Sequence, residues 1–336
     1  MTPKRETWLG SLQQALHSMM QEDERVILLG EDILDPYGGA FKVTQGLSSQ
    51  FPERVWGAPI SEAAIIGIAN GLALRGLRPV AEIMFGDFIT LAADQIINHA
   101  TKFAGMYNGQ VTTPITIRTP MGGGRGYGPT HSQSLEKLYL GIPGLHVVAP
   151  SRFHDPGALL RQAVLGDDAP VLFIEHKLLY PAQRSVPAPI QSRQINDSSL
   201  YPAMQVQNDS NPADILIITY GGSSLHLPEI LTNLAQEEIS ARVHLPASIS
   251  PLNLEPIYEQ AARCGRILII EEGADNFGWS AEAAAQLYDA VGPQLKTPIR
   301  RLSARPAVIP AARHLEDDVI ITPQKIETAI WEVLFA

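Results

Sequence analysis

The stretch Val26-Ile27-Leu28-Leu29-Gly30 is a short, unbroken apolar run that ends in a glycine. Such a run is typical of a strand that is buried on both faces of a parallel sheet. A helical stretch then opens at Ser61 and continues through Arg75, and a second apolar run follows at residues 79–84. This order of strand, helix and strand predicts a mainly parallel sheet that is covered by helices.

The same alternation continues along the whole chain. Further strands are predicted at residues 114–118, 145–148, 171–175, 214–219, 241–245, 266–271 and 299–302. Helices are predicted at residues 91–106, 156–165, 224–236, 254–262, 280–290 and 323–334. Residues 186–212 are rich in Pro, Gln, Asn, Asp and Ser and show little periodicity, which is typical of a linker. We therefore predict two α/β domains, at residues 1–185 and 213–336.

Composition excludes several classes of protein. The formal net charge of −10 disfavours nucleic-acid binding, because a polyphosphate needs a basic surface. The single cysteine, Cys264, excludes an internal disulfide and is consistent with a reducing compartment. We find no signal or transit peptide and no apolar stretch long enough for a membrane span, so we expect a cytoplasmic protein.

The segment Pro59-Ile60-Ser61-Glu62-Ala63-Ala64 places a carboxylate at the predicted start of a helix. Ser61 fits the N-cap, and Glu62 then lies in the first turn, where the helix dipole favours negative charge. Gly67 and Gly71 leave one face of this helix bare, so that another surface can pack closely against it. By its spacing alone, Glu62 is either a group for proton transfer or an ordinary surface glutamate.

The segment Met84-Phe85-Gly86-Asp87-Phe88 follows a predicted strand directly. Aromatic side chains beside a glycine, at the carboxyl end of a strand, can form a wall against a planar ring. The alternative is that both aromatic residues belong to the core. The spacing alone leaves the two interpretations open.

A glycine-rich loop follows another predicted strand, in the segment Met121-Gly122-Gly123-Gly124-Arg125-Gly126-Tyr127-Gly128-Pro129-Thr130-His131-Ser132-Gln133. So many glycines imply unusual backbone angles and a close approach to another group. The pattern matches neither a dinucleotide-binding fingerprint nor a phosphate-binding Walker loop. His131 in such a loop could titrate near neutral pH and transfer protons. The alternative is a flexible surface loop with an incidental histidine.

Taken together, these segments resemble the β subunits of the thiamine-diphosphate-dependent decarboxylating component of pyruvate, branched-chain 2-oxo acid and acetoin dehydrogenase complexes. The resemblance covers nearly the whole chain and also rests on Val26–Asp32, Tyr37–Gly39, Gly76–Pro79, Asp94–Asn98, Pro143–Leu145, Tyr220-Gly221, Gly278 and Glu282. It implies a doubly wound pyrimidine-binding domain, a transketolase C-terminal-like domain and an α2β2 heterotetramer.

The resemblance also implies a cofactor and the residues that bind it. Glu62 matches the glutamate that hydrogen-bonds the pyrimidine ring of thiamine diphosphate and shares a proton with it. Phe88 matches the aromatic residue that stacks on this ring, and Ile60 is a further cofactor contact. His131 matches a histidine that guides acyl transfer onto lipoyl. Ile115, Ala163 and Asp167 match a monovalent-cation (K⁺) site.

The remaining implications concern the partners. The chain lacks the Gly-Asp-Gly and Asn-Asn signature that holds Mg²⁺ and the diphosphate, which in this family belongs to the α subunit. The cofactor would therefore bridge two chains. A lipoyl acyltransferase core and a small 2-oxo acid are the other expected partners.

Three functions remain open at this point. The first is an oxidoreductase β subunit that, together with an α subunit, decarboxylates a 2-oxo acid and passes the acyl group to lipoyl. Two departures from the family pattern, Gly141 in place of a usual histidine and Leu245-Pro246-Ala247 in place of Asp-Leu-Arg, motivate a second hypothesis. This is a carboligase or acyl-transfer subunit of a specialised pathway. The third is a non-catalytic interaction subunit, which the presence of Glu62, Phe88 and His131 disfavours.

Overall fold

The computed structural model describes residues 7–195 and 199–336, which form two compact units. The first unit contains the described residues up to Met121, together with Tyr139–Val148 and Asp155–Arg184. The second contains Gly122–Leu138, Ala149–His154 and the described residues from Ser185 onward. Two segments of the predicted first domain thus belong to the second unit. Residues 1–6 of that domain and residues 196–198 of the predicted linker lie outside the described residues.

The first unit is built on six parallel strands in the order β5–β6–β4–β3–β1–β2. Every residue of β1 and of β6 is buried, as expected for strands that are covered on both faces. The predicted doubly wound α/β fold is therefore confirmed. The strands are β1 (Val26–Gly30), β2 (Val55–Gly57), β3 (Arg78–Glu82), β4 (Thr116–Met121), β5 (His146–Val148) and β6 (Val171–His176).

Five α-helices accompany this sheet: α1 (Trp8–Glu22), α2 (Leu47–Gln50), α3 (Glu62–Leu74), α4 (Phe103–Met106) and α5 (Pro156–Arg161). The Thr7 hydroxyl caps α1 by accepting the Gly10 N–H at 3.0 Å. The single helix predicted at residues 91–106 is wrong. A 3₁₀ segment (Gly86–Ala92), a π-helical segment (Gln95–Ala100) and α4 replace it, and side-chain bonds such as Thr101 Oγ1 to Ile97 O compete there with regular helix.

The second unit contains a six-stranded sheet in the order β13–β12–β9–β10–β8–β7. The four strands from β13 to β10 are parallel, whereas β8 runs antiparallel to both β10 and β7. The strands are β7 (Gln191–Gln194), β8 (Met204–Gln207), β9 (Ile215–Ile218), β10 (Ala241–Leu245), β12 (Ile267–Ala274) and β13 (Arg300–Ala304); a further short strand, β11, spans Ser248–Ser250.

Residues 186–212 were predicted to be a linker, but this stretch contains two strands of the sheet, β7 and β8. All four residues of β7 are exposed, so the strand shows none of the apolar alternation that would have revealed it. Polar residues are common on edge strands, where they discourage pairing with other chains.

The helices of the second unit are α6 (Leu227–Gln236), α7 (Tyr258–Cys264), α8 (Trp279–Val291), α9 (Arg313–Val319) and α10 (Pro323–Leu334). Apolar side chains of α6 and α10 pack with those of β9, β10 and β12 into one buried core. No helix within the described ranges is long and apolar enough to cross a bilayer.

A buried ionic network ties together three neighbouring strands of the first unit. Arg118 on β4 donates to Glu82 on β3 at 2.7 Å and to both carboxylate oxygens of Glu175 on β6 at 2.7 and 2.8 Å. The Tyr180 hydroxyl also donates to Glu175. Burial opposes the charge on Arg118, but the two carboxylates outweigh burial and raise its pKa. The guanidinium therefore stays charged and compensates both acids.

We expect Arg118→Met to destabilise the protein by about 3–5 kcal/mol, because it leaves two buried carboxylates without a cation. The free energy of unfolding in urea at pH 7 measures the effect. Arg25→Gln is the control, since it removes an exposed pair with Asp23 that contributes at most about 1 kcal/mol. A loss no larger than that of the control would contradict the assigned role of Arg118.

Candidate active site at the carboxyl edge of the first sheet

The first unit has a topological switch point between β1 and β3. From β1 the chain crosses to β2 on one side, and it then returns to place β3 on the other side of β1. In open parallel sheets, ligands bind at the carboxyl ends of the strands beside such a point. Glu31 follows β1 directly, and the segment with Phe85 and Phe88 follows β3.

Glu62 lies beside this edge, in the first turn of α3, and is only 4% exposed. This burial excludes the interpretation of Glu62 as an ordinary surface glutamate. Ser61 occupies the N-cap position as expected, but its hydroxyl makes no capping bond, and its backbone lies at φ −165° and ψ 86°. The Ser61 backbone N–H instead lies near the Glu31 carboxyl group and lowers the pKa of that carboxyl.

Glu31 is a site residue that our sequence interpretation missed. It is 5% exposed, and its Oε1 atom is buried without a hydrogen-bond partner in the described structure. Burial raises the pKa of the Glu31 carboxyl, and the neighbouring Glu62 carboxylate raises it further. The two buried side chains are thus close enough for the charge of Glu62 to act on the Glu31 carboxyl. The position of Glu31 directly after the first strand was the available signal.

The aromatic segment lies against the same helix. The 3₁₀ segment that carries Phe88 packs on α3, and a Cβ atom at Gly86 would come within 2.2 Å of Met121 Cγ. Glycine is therefore required for this close packing at the end of β4. Phe85 and Phe88 are partly exposed, with ring centroids 5.8 Å apart and an interplanar angle of 73°. They are not core residues, and they can present ring surface to a ligand.

The glycine-rich loop belongs to the second unit, where carboxylates bind its backbone. Gly122, Gly124, Gly126 and Gly128 all have positive φ angles between 70° and 94°. The N–H groups of Gly124 and Gly126 donate to the two carboxylate oxygens of Glu316, each at 2.9 Å. The group that the loop approaches closely is thus a side chain of the protein itself.

His131 lies near the end of this loop and is partly buried. Its imidazole Nδ1 atom is 3.0 Å from the Thr130 hydroxyl. Its backbone N–H donates to Gly128 O at 3.4 Å. Gly122 N–H donates to Gln133 O at 3.3 Å and closes the base of the loop. These bonds tie His131 and the base of the loop to the backbone of the same segment, and the role of His131 in proton transfer stays a prediction. His131 belongs to the second unit and Glu62 to the first.

Comparison with known proteins places these features in a family. Residues 5–183 match the transketolase pyrimidine-binding domain, and residues 204–326 match the transketolase C-terminal domain. The 2-oxoisovalerate dehydrogenase subunit beta of Bacillus subtilis is 36% identical over 331 residues, which cover 97% of this chain and 98% of that subunit. The chain belongs to the β-subunit family of 2-oxo acid dehydrogenases.

Other members and a more distant fold relative agree with this assignment. The acetoin:2,6-dichlorophenolindophenol oxidoreductase subunit beta of Bacillus subtilis is 34% identical, with 96% of each chain covered. The structure of a split-gene transketolase, an inactive β4 tetramer, superposes with a TM-score of 0.71 over 99% of this chain and 99% of its own. At 19% identity, that structure is alike in fold alone. The resemblance inferred from the sequence is therefore confirmed.

The two departures from the pattern of this β-subunit family have structural correlates. Gly141 has a φ of +70°, which the histidine usual in the family could adopt only with strain. Leu245 and Ala247 are fully buried in the second unit, so apolar core side chains stand where the family usually has Asp and Arg.

The residues predicted for a monovalent cation, Ile115, Ala163 and Asp167, are all buried in the first unit. Their surroundings already contain cationic donors. Arg78 Nη1 donates to Asp167 O at 2.7 Å, and the Asp167 carboxylate is 2.6 Å from His146 Nδ1. Ile115 O accepts the Val171 N–H at 2.9 Å. A cation here would therefore share Asp167 O with Arg78 and Ile115 O with the Val171 N–H, each through the second lone pair of the carbonyl oxygen.

Glu136 is a second titratable group that sequence reasoning missed, five residues after His131. It is 2% exposed and accepts a hydrogen bond from the Tyr220 hydroxyl. Burial raises the pKa of the Glu136 carboxyl to about 7; the Tyr220 bond opposes this shift, and Glu272 and Glu271 add to it. A buried acid this close to other carboxylates is held protonated below neutral pH.

Glu136 should make the stability of the protein fall as pH rises. Its pKa is raised in the fold above the ordinary 4.5, so its contribution is complete below about 4.5 and is lost by about 7. Glu136→Gln, which can still accept from Tyr220, should remove roughly 3 kcal/mol of this pH dependence. Urea unfolding at pH 5 and pH 8 measures the difference, with the exposed Glu282→Gln as control. Equal slopes for wild type and Glu136→Gln would refute the assignment.

Proposed function

We propose that this chain is the β subunit of a decarboxylating 2-oxo acid dehydrogenase, which works with an α subunit on thiamine diphosphate and passes the acyl group to lipoyl. The observation that carries the proposal is the buried Glu62 at the start of α3, with the Glu31 carboxyl beside it. A carboxyl pair at the switch point of a pyrimidine-binding domain suits proton exchange with a ring nitrogen.

The residues at this edge fit such a cofactor. The buried Oε1 atom of Glu31 has no partner among the described residues, and a buried polar atom of this kind calls for a ligand or a proton. Glu62, Phe88 and Ile60 would hold the pyrimidine ring. When bound, thiamine diphosphate supplies the carbon nucleophile for the 2-oxo carbon and accepts the electrons that CO₂ leaves behind.

The chain's own contribution at this edge is proton handling. Glu62 would hold a proton at the ring nitrogen, which a carboxyl group can donate and recover, whereas an amide could only form a hydrogen bond. Burial and the neighbouring Glu62 raise the pKa of the Glu31 carboxyl, which favours its protonated form beside Glu62. His131, on its anchored loop, would guide the acyl group to lipoyl.

An α subunit is proposed for two reasons. The chain lacks the sequence signature for Mg²⁺ and diphosphate, so the α subunit would hold both. Ile68 and Gly71 form an exposed apolar face on α3, beside the partly exposed Gly67. Ile68 is 51% exposed, and the nearby Ile60 is 85% exposed. We propose that this face contacts the α subunit in an α2β2 heterotetramer. The heterotetramer would deliver the acyl group to a lipoyl acyltransferase core.

Two finer assignments belong to the same proposal. K⁺ bound at Ile115, Ala163 and Asp167 would share the Asp167 carbonyl oxygen with Arg78, and the proposed reaction gives it no part. The single, buried Cys264 suits a reducing compartment such as the cytoplasm.

Glu62→Gln in the assembled αβ enzyme should lower decarboxylation by about 10²-fold or more, because the amide cannot transfer a proton. CO₂ release from pyruvate and from 3-methyl-2-oxobutanoate is measured with an artificial electron acceptor. The exposed Glu53→Gln serves as the matched control and should be unchanged. Unchanged turnover in Glu62→Gln would instead favour a non-catalytic subunit.

The acceptor is tested separately, with lipoyl domain and an aldehyde offered side by side to the wild-type enzyme. Acyl transfer to lipoyl alone is the expected result. Carbon–carbon bond formation with the aldehyde, and none of the lipoyl product, would favour the carboligase alternative that the departure at Gly141 motivates.

Gly71→Leu should block assembly with the α subunit without harming the chain itself. A Cβ atom at Gly71 meets nothing within 4 Å, and leucine is the better helix former by roughly 1 kcal/mol. The melting temperature of the isolated β chain should therefore stay level or rise, while gel filtration with the α subunit shows no complex. Normal assembly of Gly71→Leu would refute this face as a subunit contact.

A further inference from the structure

Glu316 has an environment that the proposed proton chemistry does not explain. It lies in the first turn of α9 and is fully buried, with 0% exposure. Within the described residues no Lys, Arg or His forms an ion pair with it. Because a buried carboxylate is costly without compensation, its partners must be strong hydrogen-bond donors.

Those donors are backbone amides of the glycine-rich loop. Gly124 N–H donates to Oε1 and Gly126 N–H to Oε2, both at 2.9 Å. Left-handed glycines at 122, 124, 126 and 128 alternate with other residues, and such alternation turns successive N–H groups toward one concavity. Concavities of this kind commonly bind anions, and here the anion is a side chain of the same chain.

Close packing makes the arrangement specific. A Cβ atom at Gly126 would lie 3.0 Å from Ala311 O, and one at Gly123 would lie 3.1 Å from Ile320 Cγ2. Glu272 Oε1 accepts the Gly123 N–H at 3.3 Å and adds a second, weaker attachment. The first half of the loop thus packs closely against residues 311–320, where the left-handed Gly126 leaves little room for a side chain.

The second half of the loop, which carries His131, is attached to the first. The backbone N–H of Gly122 donates to Gln133 O, and the backbone N–H of His131 donates to Gly128 O. The position of the imidazole therefore depends on where the glycines are held. Loss of the Glu316 carboxylate would leave two amides without an acceptor and release the loop from α9.

We propose that Glu316 is a positioning residue for His131, which it holds in register for acyl transfer by binding the loop amides. The proposal rests on the proposed function, in which His131 serves acyl transfer and Glu62 serves decarboxylation. A change at Glu316 should therefore affect acyl transfer and leave decarboxylation largely unaffected. A residue that served only general stability would affect both equally.

The test uses the assembled αβ enzyme with Glu316→Gln, whose amide can accept only one of the two N–H groups. Asp318→Asn, an exposed change in the same helix, is the matched control. Acyl transfer to a lipoyl domain should fall at least about 10-fold, since displacing a catalytic group by an ångström can cost about 10²-fold. CO₂ release with an artificial acceptor should change less than about 2-fold. Deuterium uptake by the peptide 121–133 should rise in Glu316→Gln alone.

Equal loss of both half-reactions, or no loss with unchanged deuterium uptake, would overturn the proposal. If Glu316→Gln does not assemble, Gly126→Ala tests the proposal instead. Its methyl group pushes the loop away from Ala311 and leaves the Glu316 carboxylate intact. The same selective loss in Gly126→Ala supports the proposal, and normal acyl transfer overturns it. If the wild-type enzyme releases no CO₂, the proposed function fails, whereas the anchoring by Glu316 is still judged by deuterium uptake.

Discussion

A carboxylate buried away from water has to be compensated by a cation, by amide donors or by a proton, and this constraint organises both units of the protein. In the first unit Arg118 compensates Glu82 and Glu175 and thereby ties three strands together. In the second unit the amides of the glycine-rich loop compensate Glu316. The same requirement thus holds a sheet in register in one place and shapes a loop in another.

Two other buried acids, Glu31 and Glu136, have no cation beside them in the described residues. Burial raises the pKa of Glu31 and Glu136, so each of them can be compensated by a proton instead of a fixed partner. Glu31 lies at the switch point of the parallel sheet, beside Glu62. A carboxyl group whose compensation is a mobile proton is suited to exchange it with a bound ring, whereas one that is bound to arginine is suited to structure.

The topology explains why these side chains meet. Parallel strands bring their carboxyl ends to one edge, so residues that are far apart in the chain, such as Glu31 and Phe88, follow neighbouring strands. The helix that begins with Glu62 packs on the segment that carries Phe88. The same helix also exposes Ile68 and Gly71, which is consistent with a site completed by a second chain.

Apolar periodicity and local motifs lie within short segments, and for this reason the two-domain α/β class, the family and the candidate residues Glu62, Phe88 and His131 could be predicted from the sequence. It did not reveal β7, since an exposed edge strand carries no apolar pattern. Nor did it reveal Glu31 or Glu316, because burial and compensation arise only when distant segments pack. The binding of the Glu316 carboxylate by the glycine-rich loop could be seen only in the folded chain, because this contact joins residues almost two hundred positions apart.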